Sequence, residues 1–584
     1  DATSLAVPGS SLIHTGRLGD VNLAVNLRDQ IRHSIPAAIV VVIGAWVMIY
    51  YSIVQWETMK QVPSWDLAIF SELAKAYAHF QAPIVPVKAD GYNLLGDHFH
   101  PILILLGPIW RLFPTPLSLL ITQDLLLAFS AWPLTRLASR LTNQWVAGGL
   151  GLVYVLSWGM QGAVAAQFHE IAFAMPLLAY ASVAFVERRW GAVAAWSAPL
   201  VLVKEDMGLT VLMIGVAVIL TSAVPAWYRT CTVIGPGGRR TDGPDAAGGD
   251  AAEDNAARNR QRGLRLGAGM VVGGIAAFLF ATLVFLPAFN INGVWDYGLG
   301  SQDKPTSPDA LPQKATVVVM LILTSGIIGV TSPWLLVVLP TLAWRFLGSV
   351  EFYWVWDNWH YNATLMPIAL GALLDVVARR RAHGSYVADR PVRQVGVDGR
   401  AVVEPSARAA GDASAADESD VDGPRRRPAA FPTWLTVPMR HRFVVATSIL
   451  TAVATGVLTA PYLPLWHATN KNFDPLAAEA KQTDEAKRTE THRVAVAHEV
   501  IATIPEGATV VTDLSLLAYL VPRAEVSWAG TSGPDKEYIV MTPTSANQWG
   551  TTNAATWGEQ HSKQGATYSL IFNKDSYQIA KRNG

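Results

Sequence analysis

Residues 35–55 read IPAAIVVVIGAWVMIYYSIVQ, a run of 21 residues without one charged side chain. At about 1.5 Å of rise per residue, a helix of that length crosses the roughly 30 Å of hydrocarbon in a bilayer. The run therefore reads as a membrane span, and others follow it. Apolar stretches near 116–137, 145–163, 171–187, 190–204, 207–227, 266–289, 313–331, 332–350, 362–378 and 442–460 bring the expected number of spans to about eleven. PILILLGPIWRLF (101–113) is too short to cross and ends at Pro114 and Pro116, so it reads as a re-entrant or interfacial piece.

Composition agrees. Of 584 residues, 51% are hydrophobic and only 15% charged, with mean hydropathy +0.26, whereas soluble domains average about 25% charged residues. That excludes a soluble enzyme. The single Cys231 cannot form an intrachain disulfide, and a net charge of +0 offers no field for nucleic acid. Abundant Ala, Gly and Val, with Arg far above Lys, point to a GC-rich bacterial source.

Arginine placement sets the expected orientation. Arg28 and Arg32 precede the first span, Arg136 and Arg140 follow the second, and Arg188 and Arg189 follow the fourth. A basic cluster lies within 229–265 and another within 379–441. All fall on one side if the chain crosses eleven times from a cytoplasmic N-terminus (1–33), because cytoplasmic loops are enriched in Lys and Arg. The first span then reads as an anchor in a bacterial plasma membrane rather than a removed signal. The two loops, rich in Gly, Ala, Pro, Asp and Arg, are expected to be disordered.

The membrane domain runs over 34–460, and the tail 461–584 changes character. Short β-type runs at 508–513, 525–529, 537–542 and 567–573 alternate with helix-like stretches. This predicts a small α/β domain with a mostly parallel sheet on the outer, extracytoplasmic face. No glycine-rich phosphate loop accompanies it.

Ionisable groups at membrane depth default to functional roles, and in this topology they gather at outer span ends. VPSWDLAIFSELAKAYAHF (62–80) is expected to be an amphipathic interfacial helix with Asp66 at its start, where a helix-capping role competes with a chemical one. GDHFHP (96–101) carries Asp97, His98 and His100, either a metal site or a hydrogen-bonded turn. QFHEIAF (167–173) presents His169 and Glu170. Lys204, Glu205 and Asp206 sit between two apolar runs without a turn residue, which favours a cavity wall over a solvated hairpin. Arg345 precedes EFYWVWDNWHYN (351–362), an aromatic-rich segment with His360 and Tyr361. An aromatic interface belt accounts for its tryptophans but not its charges. Together these groups suit a reaction on a lipid-linked phosphate: a carboxylate takes the proton of an attacking hydroxyl, while Lys, Arg, His or a divalent cation (Mg, Mn or Ca) meets the departing charge.

WDLAIF (65–70), GDHFHP (96–101), QFHEIAF (167–173), VKED (203–206) and WHYN (359–362), in that order, resemble a family of polytopic prokaryotic membrane proteins. That family is grouped with the GT-C superfamily of polyprenyl-phosphate-sugar-dependent glycosyltransferases. The resemblance covers roughly 40–370, and the tail from about 490 also resembles the family's outer region. It implies a GT-C-like helical membrane fold. It further implies an inverting transfer of sugar from a polyprenyl-phosphate donor to a cell-envelope glycan or glycolipid on the outer face. On this basis Asp66 matches the catalytic base. Asp97, His98 and His100 match a motif of the donor pocket or a metal site, and His169 matches a family histidine whose following acid, Glu170, is shifted by one position. Lys204, Glu205 and Asp206 match a further motif in which Lys204 would meet the lipid phosphate and one acid orient it, with Arg345 or a bound cation as the other expected phosphate partner, and His360 with Tyr361 match a late motif. Asp66 is followed by leucine where GT-C enzymes often carry a second acid. The rival readings are a transporter or lipid flippase, disfavoured by the lack of an internal repeat, and a non-catalytic assembly scaffold that docks partners through its tail.

Overall fold

A computed structural model describes residues 13–59, 65–223, 249–297, 310–348, 350–388, 394–395, 401–402, 437–465, 484–543, 545 and 553–584. Cys231 and most of the two loops expected to be disordered lie outside these residues. Where the loops are described they differ from expectation. Residues 249–265 are the first half of the helix Gly249–Phe280, and the helix Leu365–Ala388 continues past the end of its apolar run.

The architecture is mostly helical. Among the described residues, five helices are long and apolar enough to cross a membrane: Arg28–Glu57, Pro116–Leu141, Asp254–Phe289, His360–Arg381 and His441–Tyr462. Six shorter apolar helices join them, including Glu170–Val186, Trp190–Leu202, Met207–Ala223 and Pro333–Leu347. The span expected over 145–163 is broken into Gln144–Val155 and Trp158–Ala165. Asn143 and Ser157 begin the two pieces, and Asn143 accepts a hydrogen bond from the Val146 amide as an N-cap.

Small residues let these helices touch. Cβ atoms built on Gly208 and Gly215 would lie 2.7 and 2.6 Å from the carbonyl oxygens of Gly274 and Gly267. Met207–Ala223 and Gly249–Phe280 thus run antiparallel with their backbones in contact, as small-residue faces allow in membranes. At one end of the bundle, Asp375 accepts from Arg188 at 2.8 Å, Arg379 at 3.1 Å and Ser332 at 2.7 Å, and Glu187 pairs with Arg140 and Arg189. The opposite end carries the expected site residues, because Gln123 and Arg140 lie near opposite ends of Pro116–Leu141.

The tail forms a five-stranded sheet of β1 (Thr509–Thr512), β2 (Glu525–Trp528), β3 (Tyr538–Met541), β4 (Tyr568–Lys574) and β5 (Tyr577–Arg582), in the order β2-β1-β3-β5-β4. β1 is parallel to β2 and β3, but β5 is antiparallel to both β3 and β4. The sheet is therefore mixed rather than mostly parallel. Asp575 and Ser576 cause this: both have positive φ, the geometry of a tight two-residue hairpin.

This domain clamps the helix Trp65–Ala78. Lys75 Nζ donates to the carbonyls of Val521 (2.7 Å) and Ala524 (3.0 Å), and the Glu72 carboxylate accepts from the amides of Val87 (3.2 Å) and Val526 (3.3 Å). Arg493 and Tyr519 donate to backbone carbonyls at the end of the first span, Thr58 and Trp56. Trp65 packs edge-on against Trp528, and one apolar core runs from the membrane helices into Val500, Leu517 and Val526. The helix is thus not a lone interfacial amphipath. Its polar face is covered by protein, which is why Ser71 and Glu72 are buried along with Leu67, Phe70 and Leu73.

Candidate functional site

Asp66 stands in the first turn of Trp65–Ala78 with 41% of its side chain exposed, and its Oδ2 lies 3.5 Å from His169 Nε2. Two bonds fix His169. Its amide donates to Gln123 Oε1 at 3.0 Å, and its Nδ1 lies 3.2 Å from the Gln167 carbonyl. A carbonyl only accepts, so Nδ1 carries the hydrogen and Nε2 is turned to the Asp66 carboxylate. The His169 ring stacks on His360, with centroids 3.6 Å apart and planes within 23°.

Backbone strain flanks both imidazoles. Gln167 has φ +70° and Trp359 has φ +64° with ψ +161°, a region that residues other than glycine rarely occupy. Such strain persists only where packing over-determines it. Here Gly159 and Gly162 of Trp158–Ala165 lie directly against the 358–362 backbone. A Cβ on Gly159 would come 2.5 Å from the Asn362 carbonyl oxygen, and one on Gly162 2.7 Å from that of Trp359.

Lys204, Glu205 and Asp206 form the other side. Lys204 Nζ pairs with the buried Glu170 at 2.7 Å. Glu205 accepts from His98 Nδ1 at 2.8 Å and from the Phe99 amide at 3.1 Å, while Tyr297 stacks on His98. Burial opposes charge in each of these groups. For Glu205 the His98 imidazole outweighs it and keeps the carboxyl below its ordinary range, and His98 is raised in return. Burial also works against the Lys204 ammonium, but Glu170, Glu205 and Asp206 hold it above its ordinary value. Asp206 differs: burial, then repulsion from Glu205 and Glu170, outweighs Lys204 and pushes it up to about 6. Its Oδ1 is buried without a hydrogen-bond partner. Lys204, Asp206, His360 and Tyr361 line one cavity with Trp295 and Trp344.

Three expected groups lie apart from this arrangement. Asp97 is held by Lys88 Nζ (3.0 Å to each oxygen) and by the hydroxyls of Tyr92 (3.0 Å) and Tyr297 (3.2 Å). Against the cost of burial, His98 and then Lys88 bring its carboxyl down to about 2. His100 is buried edge-on against Phe70, and burial lowers it to about 4. Asp97, His98 and His100 thus face different partners. Among the described residues no three His, Cys, Asp or Glu side chains are grouped to hold a metal ion, so the trio does not fit a shared cation. Arg345, expected near the lipid phosphate, is wholly buried. It donates to the carbonyls of Tyr353 (2.8 Å) and Tyr361 (3.1 Å) and to Asn362 Oδ1 (2.7 Å). Its fork matches the turns of the 353–362 segment, so it braces the loop that carries His360 rather than facing a ligand.

Sequence reading missed Gln123, Gly159, Gly162, Asn362 and the cavity tryptophans. Gln123 is the clearest: an amide inside an apolar span that also donates to the carbonyls of Ala163 (3.1 Å) and Gln167 (2.9 Å). A polar side chain within a span was the available signal.

No curated protein matches this chain. Among solved structures, ArnT from Cupriavidus metallidurans, in a crystal structure bound to undecaprenyl phosphate, is similar at 13% identity and a TM-score of 0.36, over 93% of this chain and 97% of that one. The family described as "Predicted membrane protein (DUF2079)" matches residues 58–395, which hold all five motifs from WDLAIF to WHYN. That match covers more than half of the 584 residues, and the chain belongs to this family of membrane proteins.

Proposed function

We propose that this protein is a membrane glycosyltransferase of the bacterial plasma membrane. It takes a sugar from a polyprenyl-phosphate donor and passes it, with inversion, to a glycan or glycolipid of the cell envelope on the outer face. The observation that carries this reading is the cavity at the helix ends, where Lys204, Asp206 and His360 meet Trp295, Trp344 and Tyr361 beside the Asp66–His169 pair. It offers an ammonium for a phosphate, aromatic faces for a sugar, and a half-exposed carboxylate for a proton. In this mechanism Asp66 accepts the proton of the attacking hydroxyl, whose oxygen bonds to the anomeric carbon as the carbon–oxygen bond to the lipid phosphate breaks. The electron pair leaves on the phosphate and is met by Lys204, for which the phosphate competes with Glu170. Asp97, His98 and His100 are given no metal, and no step passes through one.

The test is transfer by the purified chain in proteoliposomes supplied with polyprenyl-phosphate sugars and a lipid-linked glycan acceptor. Asp66→Asn is expected to lower turnover by about 100-fold or more. The change in stability should stay below about 1 kcal/mol, because the carboxylate is half exposed. Undiminished transfer by this variant would remove Asp66 as the base.

A further inference from the structure

In the cavity wall, charge is settled by pairs: Lys204 with Glu170, and His98 with Glu205. Asp206 is left over. Its Oδ1 is buried with no hydrogen-bond partner although the residue lines the cavity, and it stands directly before the helix Met207–Ala223. His360 lines the same cavity, is only 6% exposed, and has an Nδ1 that is likewise buried and without a partner. Leaving such groups unpaired is costly, and buried polar atoms without partners mark places where something else supplies them. The neighbouring walls limit what that is. Trp295, Trp344 and Tyr361 offer flat apolar faces, and Thr341 and Thr364 offer hydroxyls. A carboxylate set among aromatic faces matches in chemistry a ring with hydroxyls at its edge and C–H groups on its face, which the cavity of about 30 Å³ must widen to admit. A bare phosphate is repelled by Asp206 and finds its cation at Lys204.

We infer that Asp206 is the specificity-determining residue of this cavity, accepting a hydrogen bond from a hydroxyl of the sugar while the lipid phosphate sits at Lys204. This rests on the transferase reading and adds to it which side chain distinguishes one sugar from another. Asp66 takes the proton of the attacking group, whereas Asp206 holds the group that is transferred. A raised carboxyl pKa is consistent with the isolation of Asp206, because the group gains an acceptor's full strength only when a donor arrives.

The experiment is equilibrium binding by the full-length chain in detergent. The probes are undecaprenyl phosphate alone and undecaprenyl-phosphoryl glucose, galactose and mannose, measured for wild type, Asp206→Ala and Asp206→Asn. Wild type is expected to prefer one sugar lipid over bare undecaprenyl phosphate. Asp206→Ala should weaken that sugar lipid by about 10- to 100-fold, the loss of a hydrogen bond to a charged group, and should change bare undecaprenyl phosphate less than about threefold. Asp206→Asn keeps shape and one acceptor, so it should fall between the two and guards against a folding defect. Equal weakening of all four lipids, or of none, overturns the role of Asp206 and leaves the transferase reading standing. A wild-type chain that binds none of the four overturns both.

Discussion

Gly162→Ala tests the idea that the His169–His360 stack is held by backbone contact between a broken span and a strained loop. The added Cβ would sit 2.7 Å from the Trp359 carbonyl oxygen and 3.0 Å from the Asn358 carbonyl carbon, where ordinary contact begins near 3.4 Å. The obstacles are backbone atoms, so no side chain can swing aside, and the loop must withdraw by about 0.7 Å. Trp359 has little room to adjust, since its φ of +64° is already in a sparsely populated region. Overpacking of this kind costs about 1–3 kcal/mol, offset in part by the roughly 0.5–1 kcal/mol that alanine gains over glycine in a helix. A net loss of about 1–2 kcal/mol is expected. Because His360 follows Trp359 directly, the imidazole should shift by a comparable distance, and transfer should fall by about 10- to 100-fold. Thermal unfolding in detergent, the transfer assay and an electron cryo-microscopy structure of the variant read these three effects. Gly148→Ala is the control, with no atom within 4 Å of its added Cβ, and should be neutral or slightly stabilising. If Gly162→Ala melts with wild type, or keeps the two rings stacked at 3.6 Å, the clamp is not what holds the site.

Two other perturbations probe the charges. Burial pushes the Glu72 carboxyl up from 4.5 to about 8, so the folded protein binds this proton more tightly than the unfolded chain does. Its contribution is therefore greatest below pH 4.5, falls by up to about 5 kcal/mol as pH rises towards 8, and is flat beyond. Thermal unfolding between pH 5 and 9 should show a shallower fall in Glu72→Gln than in wild type, and parallel slopes would refute the assignment. Lys204→Met strands the buried Glu170 carboxylate at a cost of about 3–5 kcal/mol, most of which the Lys204→Met/Glu170→Gln double variant should restore. If the single and double variants denature alike, the pair carries no such burden.

The fold was legible where one physical rule dominates. Runs such as 35–55 must be helical in hydrocarbon, because every backbone group has to be satisfied within the segment. The helix over 484–503 and the strands at 509–512, 525–528 and 538–541 followed from periodicity. The hairpin at Asp575–Ser576 did not, since it reaches positive φ without the Asn-Gly or Asp-Gly pair that usually announces such a turn. In the site, Asp66, His169, Glu170, Lys204 and His360 stood out as charges among apolar runs, and they do converge. What sequence cannot convey is partner choice. Nothing local in GDHFHP says that Asp97 turns to Lys88 while His98 turns to Glu205, 107 positions away. Arg345 has the charge of a phosphate ligand, and only the three-dimensional loop reveals that its donors are already engaged.

The bonds from Lys75 to Val521 and Ala524 join positions 446 and 449 residues apart. During synthesis at about 5–20 residues per second, Trp65–Ala78 emerges roughly 20–90 s before the carbonyls that will cap its lysine exist. For that interval the helix bearing Asp66 has no lid, and Glu72 has neither the amide of Val526 nor the surrounding wall that excludes water. The nascent chain therefore passes through a stage in which the membrane helices are inserted while the corner that bears Asp66 is still open. The segment that carries Val521, Ala524 and Val526 completes it, so ribosome stalling before that segment should leave a protein that is integrated in the bilayer yet still open around Asp66.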